Sequence, residues 1–243
     1  MDKKQLVKYV AAMVIGDGCL GWRDNKKDNR LVERPQYNRK INSWYASAHV
    51  ATNRDYVDWQ ISILEEIAPV SVREYEAKIS ANGYIDAPKI AYETRRHPFF
   101  TTLRERTYVN NIKTVSPHDL KLFDAESLAI LYMDDGWVEE GGRVGIATHS
   151  FTYADNKMLR DCIAEKCNVH LDVKIHKQKN GNICYYLRSS RDQGKILRDV
   201  VSKTNLIVPS FEYKLVMPSE RIAPVISQGD DIVSSVGKNN QQD

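Results

Sequence analysis

The sequence predicts an α+β protein built from two similar halves, each αββαββα, whose antiparallel sheets form a saddle about an approximate two-fold axis. Three observations carry that reading. An apolar helix ending in a carboxylate and a glycine occurs twice, as Val10-Ala11-Ala12-Met13-Val14-Ile15-Gly16-Asp17-Gly18 and as Leu128-Ala129-Ile130-Leu131-Tyr132-Met133-Asp134-Asp135-Gly136. The same succession of hairpins and helices follows each copy. Each half then closes on a lysine, in Ile112-Lys113 and Tyr213-Lys214. Internal repetition of this kind speaks directly to architecture.

The elements follow in order. Asp2 is placed as the N-cap of the first helix, with Gln5 at the capping-box position. A strand leaves Gly18, and residues 42–51 supply its partner. Residues 53–67 are amphipathic, and Pro69 stops them. Strands over 70–79 and 89–95 flank Asn82-Gly83, and a helix over 98–109 precedes Lys113. In the second half, strands over 137–140 and 143–150 surround Gly141-Gly142, a primed-turn signal. Thr152 and Asp155 open a helix over 152–167. Strands over 171–178 and 182–189 join across Asn180-Gly181, and a last helix starts near Ser190. Tyr56/Asp58 and Tyr153/Asp155 match in spacing as helix landmarks, and His49 and His149 fall near the ends of matched strands. The main difference between halves is a longer, basic first loop at 24–41. The expected domains are residues 1–115 and 116–218, followed by a flexible tail at 219–243.

Composition narrows the function classes. Hydrophobic residues at 42% and charged residues at 28% fit a globular chain with a substantial core. No apolar run approaches the roughly 20 residues of a membrane span, and the N-terminus lacks the apolar stretch of a signal peptide. Cys19, Cys162, Cys167 and Cys184 fit neither a disulfide framework nor a zinc pattern. All four read as reduced packing residues in an intracellular, reducing compartment, the cytoplasm of a bacterial host or an organelle matrix. A net charge of +3 is too small to argue for nucleic acid, but its distribution says more. Residues 23–40 carry seven Lys/Arg against three acids, and residues 170–203 carry eight against three. Two basic regions suggest two patches on one surface.

The chemistry centres on the helix ends. A helix C-terminus carries partial negative charge, so an aspartate there costs a few tenths to about 1 kcal/mol. Something must offset that cost at Asp17, Asp134 and Asp135, and a bound divalent cation is the simplest candidate. If the two helices pack side by side, with Ala12 and Gly16 allowing close approach, Asp17 and Asp135 meet at the base of the sheets. Hard ions such as Mg²⁺ take carboxylate, carbonyl and phosphate oxygens and can promote phosphodiester displacement. In Asp172-Val173-Lys174-Ile175-His176-Lys177, Val173 and Ile175 are expected to face inward while Asp172, Lys174 and His176 face outward. Tyr186 and Arg188 continue that outer face, as do Ser43, Tyr45, Ser47 and His49 in the first half. Such a face suits the major groove of double-stranded DNA.

The paired motifs resemble those of LAGLIDADG homing endonucleases of the single-chain, two-motif type, over about residues 1–218. That resemblance implies a monomeric, site-specific double-strand DNA endonuclease dependent on Mg²⁺ or Mn²⁺, with a long asymmetric target and a mobile gene of its own. It implies that Asp17 and Asp135 bind the catalytic metals with the backbone carbonyls of Gly16 and Asp134, and that Lys113 and Lys214 flank the active-site water. Ile15, Met133 and Asp134 depart from the nine-letter pattern; aligning Asp135 with Asp17 selects it over Asp134 as the ligand. DNA contacts are expected from Lys26, Lys27, Arg30, Arg34, Arg39 and Lys40 in the first-half loop. At the opposite end they are expected from Lys174, His176, Lys177, Lys179, Tyr186, Arg188 and Arg191. The first rival is a maturase on the same scaffold, with intron RNA as partner. A regulator with a decayed site and a glycosidase using the two carboxylates are the others.

Overall fold

The computed structural model describes residues 1–22, 42–79 and 85–221. The expected basic loop residues Lys26, Lys27, Arg30, Arg34, Arg39 and Lys40, the Asn82-Gly83 turn and nearly all of the expected tail lie outside those residues. The first half contains α1 (Lys3–Ile15), β1 (Cys19–Gly21), β2 (Trp44–Val50), α2 (Arg54–Glu65), β3 (Val70–Tyr75), β4 (Lys78–Ile79), β5 (Ile85–Asp86), β6 (Lys89–Thr94), α3 (Pro98–Thr107), β7 (Tyr108–Val109) and β8 (Ile112–Lys113). A short α4 (Pro117–Leu120) leads to the second half: α5 (Ala125–Asp135), β9 (Gly136–Val138), β10 (Val144–Ile146), α6 (Tyr153–Cys167), β11 (Leu171–Lys177), β12 (Ile183–Ser189) and α7 (Arg191–Ser202). Two 3₁₀ segments, Pro209–Leu215 and Pro218–Glu220, follow.

Each half carries a four-stranded antiparallel sheet of the same topology, ordered β1-β2-β6-β3 in the first and β9-β10-β12-β11 in the second. The repeat seen in the sequence is therefore a repeat in space. Its centre is the pair α1 and α5, which pack against each other. Residues Tyr9 to Ile15 and Ser127 to Met133 are buried on every side, as a helix enclosed by protein requires. Asp2 caps α1 by accepting from the Gln5 N–H at 2.8 Å. Asp124 caps α5 by accepting from the Glu126 and Ser127 N–H groups. Lys8 of α1 pairs with Asp124 and Glu126, tying the start of α5 to its partner helix.

The two cores interlock. Ile130 and Met133 of α5 sit in the first-half core, as does Phe211 from the last segment, while Ile15 of α1 sits in the second-half core. The Ser210 N–H also donates to Asp55 of α2 at 2.9 Å. A second link joins α3 to α4, where Arg106 lies 2.6 Å from an Asp119 carboxylate that is only 2% exposed. Removing one partner of a buried pair strands the other charge, at a cost of about 3–5 kcal/mol. Arg106→Ala should lower unfolding stability by about that much in a urea titration. Adding Asp119→Leu should restore most of the loss; if it does not, the pair is not the cause.

Several expectations shift in detail. Helix α3 stops at Thr107, and a small hairpin, β7–β8, replaces its last turn. Asn110 and Asn111 both adopt positive φ, 51° and 64°, the requirement of a primed two-residue turn. On β2 the expected facing is wrong by one residue. Tyr45 is fully buried, Ser43 and His49 are buried, and Trp44, Ala46, Ala48 and Val50 point the other way. The inward side is polar because it lies beneath the acidic helix ends, so polarity misled the phase. Ile175 is 68% exposed, because the far end of β11–β12 projects beyond the core. Tyr56 is fully buried whereas Tyr153 is half exposed, so they are not equivalent landmarks. Cys162, Cys167 and Cys184 are buried free thiols as expected, but Cys19 is exposed on the open side of β1.

Candidate metal and nucleic-acid site

The C-terminal ends of α1 and α5 bring three carboxylates together. Asp17 follows Gly16, while Asp134 and Asp135 end α5. Asp134 reaches into the notch that Gly16 leaves: a Cβ on Gly16 would lie 2.1 Å from Asp134 Oδ2. Its carboxylate accepts from the Tyr56 hydroxyl at 2.8 Å and from the Asp17 N–H at 3.3 Å. Burial, reinforced by neighbouring Asp17, holds the Asp134 carboxyl well above the usual carboxylate range. Burial and the Asp17 charge push Asp135 up to about 7, with Lys113 and Lys214 pulling it back. Crowded, desolvated carboxylates of this kind favour a proton or a cation.

The two predicted lysines converge on the same place from far along the chain. Lys113, on β8, donates its Nζ to the carbonyls of Gly16 at 2.6 Å and Gly18 at 3.1 Å. Lys214 donates to Met133 O at 2.5 Å and Tyr132 O at 3.4 Å. Each lysine therefore caps the helix of its own half and supplies positive charge where the helix dipole is negative. Part of the offset, expected to come from a divalent cation, is therefore ammonium charge. Burial lowers both lysines, Lys214 to about 8, and the surrounding acids oppose that shift. Gly16 O, expected among the metal ligands, is already one of the acceptors of Lys113.

His49 belongs to this cluster, although strand alternation placed it on the outer face. Its Nδ1 lies 3.7 Å from Asp17 Oδ2, and burial lowers its pKa. Its ring packs edge-on against Tyr56, with centroids 5.3 Å apart. Asp17, His49 and Asp134 each present a donor atom within 4.8 Å of the others. His149, by contrast, is exposed and lies against His176 and Tyr186. The signal that could have separated the two histidines is strand register, which polarity alone did not reveal.

Above the site lie the open faces of the sheets. In the first half the pairing sets Ala46 beside Glu93 and Ser71, and Ala48 beside Ala91 and Arg73. Ser71, Arg73 and Glu93 were not singled out from sequence. In the second half Asp172 and Lys174 lie opposite Arg188 and Tyr186, and His176 opposite Cys184. Lys174, His176, Lys177, Lys179 and Arg191 are solvent-facing or nearly so. Lys174 pairs with Asp172 at 3.0 Å, and Arg188 with Glu139. No helix among the described residues is long and apolar enough to cross a membrane.

Two paired helices delivering acids beneath twin antiparallel sheets define a recognisable class. The sequence profile of the LAGLIDADG DNA endonuclease family matches residues 11–197, and the chain belongs to that family. Over 178 residues it is 40% identical to the uncharacterized protein MJ1098 of Methanocaldococcus jannaschii, covering 72% of this chain and 61% of that protein. It therefore spans about three-fifths of that relative's length. Its fold is similar to that of the homing endonuclease I-WcaI, solved bound to its DNA recognition sequence. The TM-score is 0.68 at 16% identity, covering 88% of this chain and 87% of that one.

Proposed function

We propose that this protein is a site-specific endonuclease that hydrolyses both strands of a long, asymmetric DNA target with a divalent cation, acting as a monomer. One observation carries the reading. Asp17, Asp134 and Asp135 crowd together with Lys113 and Lys214 at the paired helix ends, beneath two open strand faces. The donor set suits a hard cation: the charge of Asp17 helps raise both Asp134 and Asp135, and Asp135 is held near 7. Asp17 and Asp135 would be its principal ligands, one for each strand. When bound, such an ion lowers the pKa of water and neutralises charge building on the phosphate. Lys113 and Lys214 orient the helix-end carbonyls and add positive charge below the scissile groups, and Lys214, at about 8, can hold or release a proton near neutral pH.

The test is direct. Purified chain is incubated with Mg²⁺ or Mn²⁺ and a library of duplexes drawn from uninterrupted host loci, and products are sequenced. Recovery of one defined double-strand break supports the reading; absence of any cut with bound duplex overturns it.

Affinity should come mainly from phosphate and base contacts across the sheets. Neutralising Lys174, Lys177, Lys179 and Arg191 together should flatten the salt dependence of binding by nearly one unit of slope per lost contact. The footprint should shorten at the second-half end only. Deleting the loop that carries Lys26, Lys27, Arg30, Arg34, Arg39 and Lys40 should do the same at the other end. An unchanged footprint and slope would remove these residues from the interface.

A further inference from the structure

We infer that Asp17, His49 and Asp134 form a transition-metal site that the second half lacks, so that the two cleavage centres differ in metal preference. The inference deepens the metal-dependent reading and rests on it for the consequence in cleavage, while binding of the ion is measured on the protein alone. The three donors already lie within 4.8 Å of one another, and this is the one such group among the described residues. Ligand atoms around a single ion stand about 3–4 Å apart, so small side-chain rotations suffice.

The histidine distinguishes this cluster from crowded acids. Its side chain is 5% exposed, and its Nδ1, the nitrogen that faces the acids, stands 3.7 Å from Asp17 Oδ2, too far for a hydrogen bond, while the Gln60 side chain also acts on the ring. A buried imidazole nitrogen that faces the Asp17 carboxylate without a hydrogen bond, with Asp134 close by, is left for a ligand to satisfy. The surroundings fix the donors as outer partners of metal sites do. Tyr56 holds Asp134 Oδ1 and packs on the His49 ring, and Gly16 makes room for Oδ2 beside Asp17.

The strand register shows why the site is single. Cys19 pairs with Ala46 and Trp137 with Gly145, and Cys19 and Trp137 each follow their aspartate by two residues. Three residues further along, His49 therefore corresponds to Thr148, whose hydroxyl is bonded to Asn156. Asp134 corresponds to Gly16. The second half thus offers neither imidazole nor extra carboxylate at those positions. Imidazole is favoured by Zn²⁺ and the later transition ions and is accepted by Mn²⁺, whereas Mg²⁺ prefers oxygen alone. At limiting Mn²⁺ the His49 centre fills first, and one strand is nicked before the other is cut.

Mn²⁺ titration of the DNA-free chain, followed by electron paramagnetic resonance, tests this. One tight site per chain is expected, resisting tenfold excess Mg²⁺, with nitrogen coupling from an imidazole in the pulsed spectrum. His49→Gln and Asp134→Asn should each weaken that site at least about tenfold, and Asp135→Asn should leave it in place. The spectrum of the unaltered protein decides the matter even if a variant folds poorly: absence of nitrogen coupling overturns the inference. Coupling in a chain that never cleaves DNA would uphold the site and overturn the nuclease reading instead.

Discussion

Asp17→Asn and Asp135→Asn are each expected to abolish double-strand cleavage while leaving target affinity within a few-fold of the parent. The carboxylates would hold metal, whereas binding comes from sheet and loop contacts to phosphates and bases. Stability supplies an independent readout for Asp135. Its carboxyl rises from an ordinary 3.8 to about 7 in the folded chain, so the folded state holds the proton more tightly than the unfolded state. The stabilisation this brings is complete below about pH 4 and is lost as pH rises toward 7. At pH 8 the metal-free parent therefore carries an unfavourable ionised Asp135 that Asp135→Asn lacks. The variant should then unfold later by about 1–4 kcal/mol, and the gap should close at pH 4. Saturating Mg²⁺ should stabilise the parent more than the variant. Parent-like cutting of both strands by either variant would remove that residue from the metal site.

The paired helices were legible because both signals are local: an unbroken apolar face and a glycine stop, each repeated with its hairpins. The identical sheet orders follow from that repetition. Facing on β2 was not legible. Tyr45, Ser47 and His49 are the polar positions of an alternating strand, which argues for solvent, yet they line a buried polar layer under the acids. Only pairing with β6, where Tyr92 and Ile90 are buried, fixes their side. The lysines were reached through family resemblance, since Lys113 meets Gly16 across 97 residues and no local pattern announces that contact. Alignment with Asp17 selected the Asp135 carboxylate over that of Asp134. The place of Asp134 in the notch at Gly16 depends on how two helices of different halves dock, and that is a property of packing.

Lys214→Met should slow cleavage by roughly ten- to a thousandfold, the range for proton-transfer groups and electrostatic stabilisers. Methionine keeps the length of the side chain but removes the charge and the donated bonds to Met133 O and Tyr132 O. The last segment stays anchored, because the Tyr132 hydroxyl donates to the Lys214 backbone carbonyl at 2.6 Å and Phe211 remains in the core. Lys113→Ala should behave similarly through Gly16 and Gly18. Burial holds Lys214 at about 8, so its ammonium form is lost as pH rises through that value. If that charge assists the reaction, parent activity should fall above about pH 8, and the fall should vanish from the residual activity of Lys214→Met. The same ammonium helps keep Asp135 from rising further. Carboxyl NMR of the metal-free variant should accordingly find Asp135 titrating above 7. Normal cutting combined with weakened binding would make Lys214 a DNA-backbone anchor instead.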